Sequence, residues 1–252
     1  MSLLVRLLGF PGTLIAGDPL VWDRWRWLKP RLQRHSGALL DVGCGSGAFS
    51  IGAARMGYRV LGLSWDERNQ FVAAERAGLC KAAGARFQVL DVRKLDTRTD
   101  LREQFDVVIC LENIEHIFDD KKLMTDMAAC LKSGGSLLLT TPNKRYRPIG
   151  PNPDDGPLSA VEDGGHVRRV YTEDELVELC RHAGLMADRI TYCSGFLSQK
   201  LAYVLRVLSA INYLIGWAAI LPFRWLPLFD SVVTPLLHWP GYSICLEARK
   251  PQ

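Results

Sequence analysis

No two cysteines of this chain form a C-x-x-C pair. Cys44, Cys80, Cys110, Cys130, Cys180, Cys193 and Cys245 are scattered and odd in number. That argues against a disulfide framework and a structural zinc site, and for a reducing compartment. No block of one charge stands out either: 31 Lys and Arg against 27 Asp and Glu leave a net charge of only +4. A nucleic-acid partner is therefore not expected. No apolar run reaches the roughly 20 residues that span a bilayer comfortably. The longest charge-free stretch lies between Arg206 and Arg224 and is softened by Ser209, Asn212 and Gly216. Residues 1–17 are interrupted by Arg6 and Pro11 and carry no signal-peptide core or small-x-small cleavage site. A cytoplasmic location is expected, with a peripheral position at the inner face of a membrane left open by the C-terminal quarter. There is no internal repeat.

What is present suits one α/β domain with additions: 252 residues, 48% hydrophobic and 23% charged. Short apolar runs alternate with helical stretches from Ala38 onward, as βα units on a parallel sheet require. Strands are expected at Ala38–Val42, Arg59–Leu63, Arg86–Leu90, Phe105–Leu111 and Ser136–Thr140. Two more, near Ala187–Thr191 and Tyr242–Ala248, complete a sheet of seven strands, mostly parallel, between layers of helices. Helices are expected at about Ala48–Arg55, Asp66–Ala83 and Lys121–Leu131, and another after Thr172, which with Glu175 makes a capping box. The chain divides into a helical lead-in of one or two short helices (1–37), a core (38–198), an apolar insertion (199–240) and a final strand with its tail (241–252).

The strongest local signal is Asp41-Val42-Gly43-Cys44-Gly45-Ser46-Gly47. A buried strand ends in a glycine turn that opens a helix, where any Cβ would obstruct a ligand. Gly43, Gly45 and Ala48 also satisfy G-x-G-x-x-A, so a nicotinamide dinucleotide is a rival, as is a glycine turn with no ligand. Asp41 weighs against pyrophosphate and suits a cationic ammonium. The segment resembles the first motif of class I S-adenosylmethionine-dependent methyltransferases, and the likeness continues in order to about residue 190. It implies a Rossmann-like fold and cofactor contacts from Asp41, Gly43, Cys44, Gly45 and Gly47. Where that family usually has an acidic ribose ligand, this chain has Ser64, followed by Trp65. The cyclopropane fatty acid synthase group makes a similar replacement, with an amide five residues on, matched here by Asn69. Asp66 is an alternative ribose contact, and Ser64 with Glu67 an alternative helix cap. By the same resemblance Asp91 and Val92 meet the adenine.

The fourth strand ends in Leu111-Glu112-Asn113-Ile114-Glu115-His116, at the sheet edge where open α/β proteins bind ligands. E-x-x-E-H resembles the ubiquinone-biosynthesis O-methyltransferases. The resemblance implies that Leu111 touches the methionine portion and that Glu112, Glu115 and His116 hold a divalent cation such as Mg²⁺. Imidazole is a softer ligand than that ion prefers. His116 as general base and a purely structural role are the alternatives, since a histidine titrates near neutrality. His166, in Gly164-Gly165-His166-Val167-Arg168, is the second catalytic candidate, against a surface anchoring role.

Trp217, Phe223, Trp225 and Trp239 stand among arginines and prolines in the insertion, and Trp22, Trp25 and Trp27 sit near the N-terminus. Both ends are expected to build one membrane-facing surface; a pocket cap or homodimer interface is the alternative. The preferred activity is O-methylation of a small lipophilic or amphiphilic acceptor. C-methylation of a lipid or prenylated acceptor is its nearest rival. A nicotinamide oxidoreductase and a non-catalytic membrane-associated binding protein are the readings from other classes.

Overall fold

The computed structural model describes residues 2–15, 17–150, 158–162, 165–167 and 170–252. Three helices, α1 (Ser2–Leu8), α2 (Phe10–Ile15) and α3 (Pro19–Leu32), lead into the core, where one or two were expected. Two breaks cause the division. Gly9 ends α1 at φ +63°. Asp18 caps α3, accepting from the Leu20 amide at 2.9 Å, with Pro19 in the first helical position. The core then alternates β1 (Ala38–Val42), α4 (Ala48–Arg55), β2 (Arg59–Ser64), α5 (Glu67–Leu79), β3 (Ala85–Val89), β4 (Phe105–Leu111), α6 (Asp120–Cys130) and β5 (Leu131–Pro142). After α7 (Glu173–His182) and β6 (Met186–Cys193) come α8 (Phe196–Ser209), α9 (Tyr213–Ile220), α10 (Asp230–Leu236) and β7 (Ser243–Arg249).

The seven strands run in the order β3-β2-β1-β4-β5-β7-β6, with β7 antiparallel to both of its neighbours and the remaining pairs parallel. Central strands are apolar throughout because both of their faces are covered. Leu40, Val108 and Leu139 pack with Leu123 and Met127 of α6 and Leu176 of α7. Leu39, Val107, Ile109 and Leu138 face the other way, onto Trp25, Leu28 and Leu32 of α3 and Ala53 of α4. Trp25 and Trp27 are therefore core residues, 8% and 7% exposed, and not part of an outer surface. Helix α5 begins one residue later than expected because Asp66 is its cap, accepting from the Arg68 and Asn69 amides. That is the role weighed for Ser64. The Thr172–Glu175 capping box forms as read.

Asp41 ends β1 behind the glycine turn and is 1% exposed. Its Oδ2 accepts a 2.6 Å hydrogen bond from Ser50 Oγ, tying β1 to α4 and so fixing the turn between them. Burial lifts its pKa from 3.8 to about 7, with the Ser50 bonds opposing. A folded pKa above the unfolded one gives stability that is complete below about pH 4 and lost as pH rises through 7. The difference in unfolding free energy between native protein and Asp41→Asn should thus fall by a few kcal/mol, on the order of magnitude given by the pKa change. Urea unfolding at pH 4.5, 6 and 7.5 measures it, and parallel pH profiles would refute it.

Candidate active site

Strand order reverses between β1 and β4, and a cleft of ≈ 440 Å³ opens outside their carboxyl ends. The glycine turn forms one wall. Gly43 has φ +86°, and a Cβ there would run into the Asn113 side chain. Gly45, at φ +50°, has nothing within 4 Å of the place a Cβ would occupy, so that position opens onto free space. Gly47 serves packing instead: a Cβ there would lie 2.8 Å from Ala73 and 2.9 Å from Phe87. Cys44 and Leu111 are buried and do not border the cleft; the Cys44 sulfur accepts from Gln70 Nε2 at 3.4 Å. Asp41 does not border it either.

Ser64, Trp65 and Asn69 from the β2–α5 junction share the cleft with Asp91 and Val92 from the end of β3. Trp65 is 62% exposed, so its ring is a loose flank of the opening. Asp91 is not a free acceptor. Arg93 reaches its two oxygens at 2.6–2.9 Å and holds its pKa below the ordinary carboxylate value. Arg93 also pairs with Glu162 at 2.6 Å, and Glu162 takes the Phe118 amide. Sequence reading missed this Asp91–Arg93–Glu162 bridge because its third member comes from about 70 residues away. Asp91 and Arg93, two apart, were its only local trace.

At the end of β4, Glu112 adopts φ +51°, a left-handed conformation that costs a non-glycine residue on the order of 1–3 kcal/mol. Two contacts hold it there. Its amide donates to Thr140 O at 2.8 Å, and its Oε2 lies 3.0 Å from Arg24 Nη2 of α3. Glu112 Oε1 is buried without a hydrogen-bond partner among the described residues, as is Asn113 Nδ2. Both residues border the cleft. The carboxylate beside the cleft with an unpartnered oxygen is thus Glu112, where Asp41 was expected to meet an ammonium.

Glu112 was also expected in the cation set and is not in the group that converges. The ligand atoms that converge, all within 4.8 Å of one another, belong to Glu115, His116 and His166. Glu112 is drawn aside by Arg24. Glu115 is 1% exposed and accepts from Thr141 Oγ1 at 3.2 Å. Burial first, and the Glu112 charge second, push its pKa well above the usual carboxylate range. His116 Nδ1 lies 3.1 Å from Gly165 O, and its Nε2 lies 4.0 Å from Glu115 Oε1. The two imidazoles meet edge to face, 4.8 Å between centroids. Of the Gly164–Arg168 segment, Gly164 and Arg168 fall outside the described residues. His166 does reach His116, which joins the two catalytic candidates into one cluster.

Residues 22–189 match the family described as "Methyltransferase domain". The chain is 28% identical over 174 residues to a ubiquinone biosynthesis O-methyltransferase of Marinobacter nauticus, covering 67% of this chain and 71% of that protein. Its fold superposes on the [4+2]-cyclase SpnF with a TM-score of 0.63 at 22% identity, covering 91% of this chain and 81% of that one. For geranyl diphosphate C-methyltransferase from Streptomyces coelicolor, solved with Mg²⁺ and S-adenosyl-L-homocysteine, the TM-score is 0.59 at 20% identity, with 90% and 75% covered. The seven-stranded order, the open glycine turn and a family match over two thirds of the sequence lead to one conclusion: this chain belongs to the methyltransferase-domain family and is an S-adenosylmethionine-dependent, Rossmann-like methyltransferase.

Proposed function

We propose that the enzyme O-methylates a small lipophilic or amphiphilic acceptor. The observation that carries this reading is the placement of His116, which borders the glycine-walled cleft while its Nδ1 is engaged by a backbone carbonyl. A proton on Nδ1, donated to Gly165 O, leaves Nε2 as the basic nitrogen. That nitrogen takes the acceptor's hydroxyl proton as the oxygen attacks. C-methylation of a lipid or prenylated acceptor would use the same base on a carbon acid. The relative's name, a ubiquinone biosynthesis O-methyltransferase, favours oxygen.

The residues bordering the cleft fit S-adenosylmethionine, whose sulfonium supplies an activated methyl group. The open position at Gly45 admits its amino acid portion, Ser64 and Asn69 suit the ribose, and Val92 suits the adenine edge beside an Asp91 already held by Arg93. Trp65 can flank the base, and Glu112 offers its unpartnered oxygen to the ammonium. The cleft volume falls within the ~300–1,000 Å³ of ordinary cofactor sites. Positioning is the larger task here, because the leaving group is already good.

A divalent cation at Glu115, His116 and His166 is the second reading, favoured by their convergence. Two imidazoles and one carboxylate suit a borderline ion such as Zn²⁺ or Mn²⁺ better than Mg²⁺. It would orient the acceptor oxygen and lower its pKa.

The apolar elaboration supports an interfacial location. Ile211, Leu214, Ile215, Phe223, Trp225 and Phe229 are all at least half exposed. No helix among the described residues is long and apolar enough to cross a membrane. Such an apolar surface suits docking at a lipid interface. A homodimer would cover the same face.

His116→Ala should lower turnover about 10²-fold or more with an unchanged Kd for S-adenosylhomocysteine, the usual weight of a general base. Calorimetry and single-turnover assays check both, and full activity would exclude His116 from the chemistry. Under the cation reading, dialysis against a chelator abolishes turnover and Mn²⁺ or Zn²⁺ restores it; indifference to chelator leaves His116 acting alone. Full-length protein should co-sediment with phosphatidylglycerol liposomes, less so at high salt. Retention in the supernatant would remove the interfacial location.

A further inference from the structure

Asn113 follows Glu112 directly after β4, and its side chain stands in the wall of the cofactor cleft. Its Nδ2 is buried and has no hydrogen-bond partner among the described residues. Glu112 Oε1, one residue earlier in the same wall, is buried and unpartnered in the same sense. One unmet donor and one unmet acceptor are therefore neighbours in the chain. Buried polar groups are nearly always paired in a native protein, so two orphans at one cleft wall call for a ligand that supplies both partners. The buried Cys110 thiol is near enough to be influenced by the amide. Thiol sulfur is a weak acceptor and leaves the demand unmet.

Three features hold the amide in place. Gly43 faces it, and a Cβ on that residue would overlap Asn113 Cγ, so the glycine provides the space that the amide occupies. The Asn113 carbonyl accepts from the His116 amide at 3.1 Å, closing the short turn Ile114–His116. On its other side, Glu112 is fixed by Thr140 O and Arg24. Asn113 is thus one end of a braced turn whose other end carries the imidazole at the cleft.

The group of the cofactor that meets this amide follows from topology and charge. Ser64, Asn69 and Val92 come from the ends of β2 and β3. The order β3-β2-β1-β4 puts the end of β4 three strand spacings from the end of β3, about 14 Å. With the nucleoside on the β2 and β3 side, the zwitterionic amino acid end falls to β1 and β4. Its ammonium takes the Glu112 oxygen, and its carboxylate takes an N–H donor. Two guanidiniums are near the cleft. Arg93 follows β3, on the nucleoside side, and spends its N–H groups on Asp91 and Glu162. Arg24 is paired with Glu112 and does not border the cleft.

We propose that Asn113 Nδ2 donates to the α-carboxylate of S-adenosylmethionine, so that Glu112 and Asn113 together read its zwitterion. This rests on the cofactor reading of the cleft and adds the residue that recognises the carboxylate. Because His116 shares the turn, the grip on the amino acid end also sets the distance from methyl group to base.

The test is calorimetry on full-length protein with S-adenosylhomocysteine, its decarboxylated analogue and methylthioadenosine. The first carries both charges, the second keeps the ammonium alone, and the third has neither. In the wild type, loss of the carboxylate should weaken binding about tenfold or more, the weight of a hydrogen bond to a charged group. Asn113→Leu keeps the branched shape and removes the donor. It should weaken S-adenosylhomocysteine by the same factor and leave the other two ligands within about twofold. Asn113→Asp, which sets a like charge against the carboxylate, should weaken S-adenosylhomocysteine further and spare the decarboxylated analogue. If Asn113→Leu does not fold, the wild-type comparison and Asn113→Asp decide. Equal binding of S-adenosylhomocysteine and its decarboxylated analogue to the wild type overturns the proposal. Equal loss of all three ligands in the variants also overturns it, since Asn113 would then only shape the wall. Wild-type protein that binds none of the three overturns the cofactor reading itself.

Discussion

The ion pair between Arg24 and Glu112 joins the lead-in helices to the catalytic edge of the sheet. Both side chains are nearly buried, 12% and 14% exposed, with 3.0 Å between Nη2 and Oε2. Removing one partner of such a pair leaves an uncompensated charge in a poorly solvated place, a cost of about 3–5 kcal/mol. The pair also offsets the strain of Glu112 at φ +51°. Without Arg24 the segment after β4 would relax, and with it the wall formed by Asn113 and the approach to His116. The α3 helix is thus part of the site, although it lies before the first strand. Its Trp25, Leu28 and Leu32 bury one face against the sheet so that Arg24 can reach the cleft.

Charge around the site is arranged in layers of decreasing solvation. Arg93 bridges Asp91 and Glu162 at the solvent side, where side chains are 15–44% exposed and the ionised forms are favoured. Deeper in, Glu112 is balanced by Arg24. Deepest are Asp41 and Glu115, each 1% exposed and lacking a cation of its own among the described residues. Their carboxyl groups hold on to protons to higher pH than usual, and each is tied to a hydroxyl, Ser50 or Thr141. The same gradient distinguishes Glu115 from Glu112, two residues of one motif that the fold sends in different directions.

Much of this was legible in the sequence, for a physical reason. β1, α4 and β4 have the bounds read from composition because an apolar run between turn residues leaves little choice of register. The cleft neighbours Ser64, Asp91 and Val92 lie at or just after strand ends, and Asn69 was reached by its spacing from Ser64 in the resemblance. What escaped were partnerships across sequence distance. Arg24 meets Glu112 from 88 positions away, and His166 meets His116 from 50 positions further on. The lead-in tryptophans were misplaced because aromatic and basic residues side by side looked interfacial. Trp25, Leu28 and Leu32 repeat at helical spacing, and that period was the available sign of a buried face.

In the apolar elaboration, α8 carries two side-chain patterns at once. A helix with period 3.6 allows this, and the pattern from Gln199 to Ser209, which lines a cavity of ≈ 360 Å³, is out of phase with that from Lys200 to Ile211. Its start is fixed by Asp230, which accepts from the Leu197 and Ser198 amides at 2.8 and 3.0 Å. Its far end is packed against α9 at Gly216, where a Cβ would meet Ser209 Oγ. Pinned at both ends, the helix cannot roll to bury its aliphatic stripe without exposing the cavity wall. The outward stripe is therefore a consequence of building the cavity.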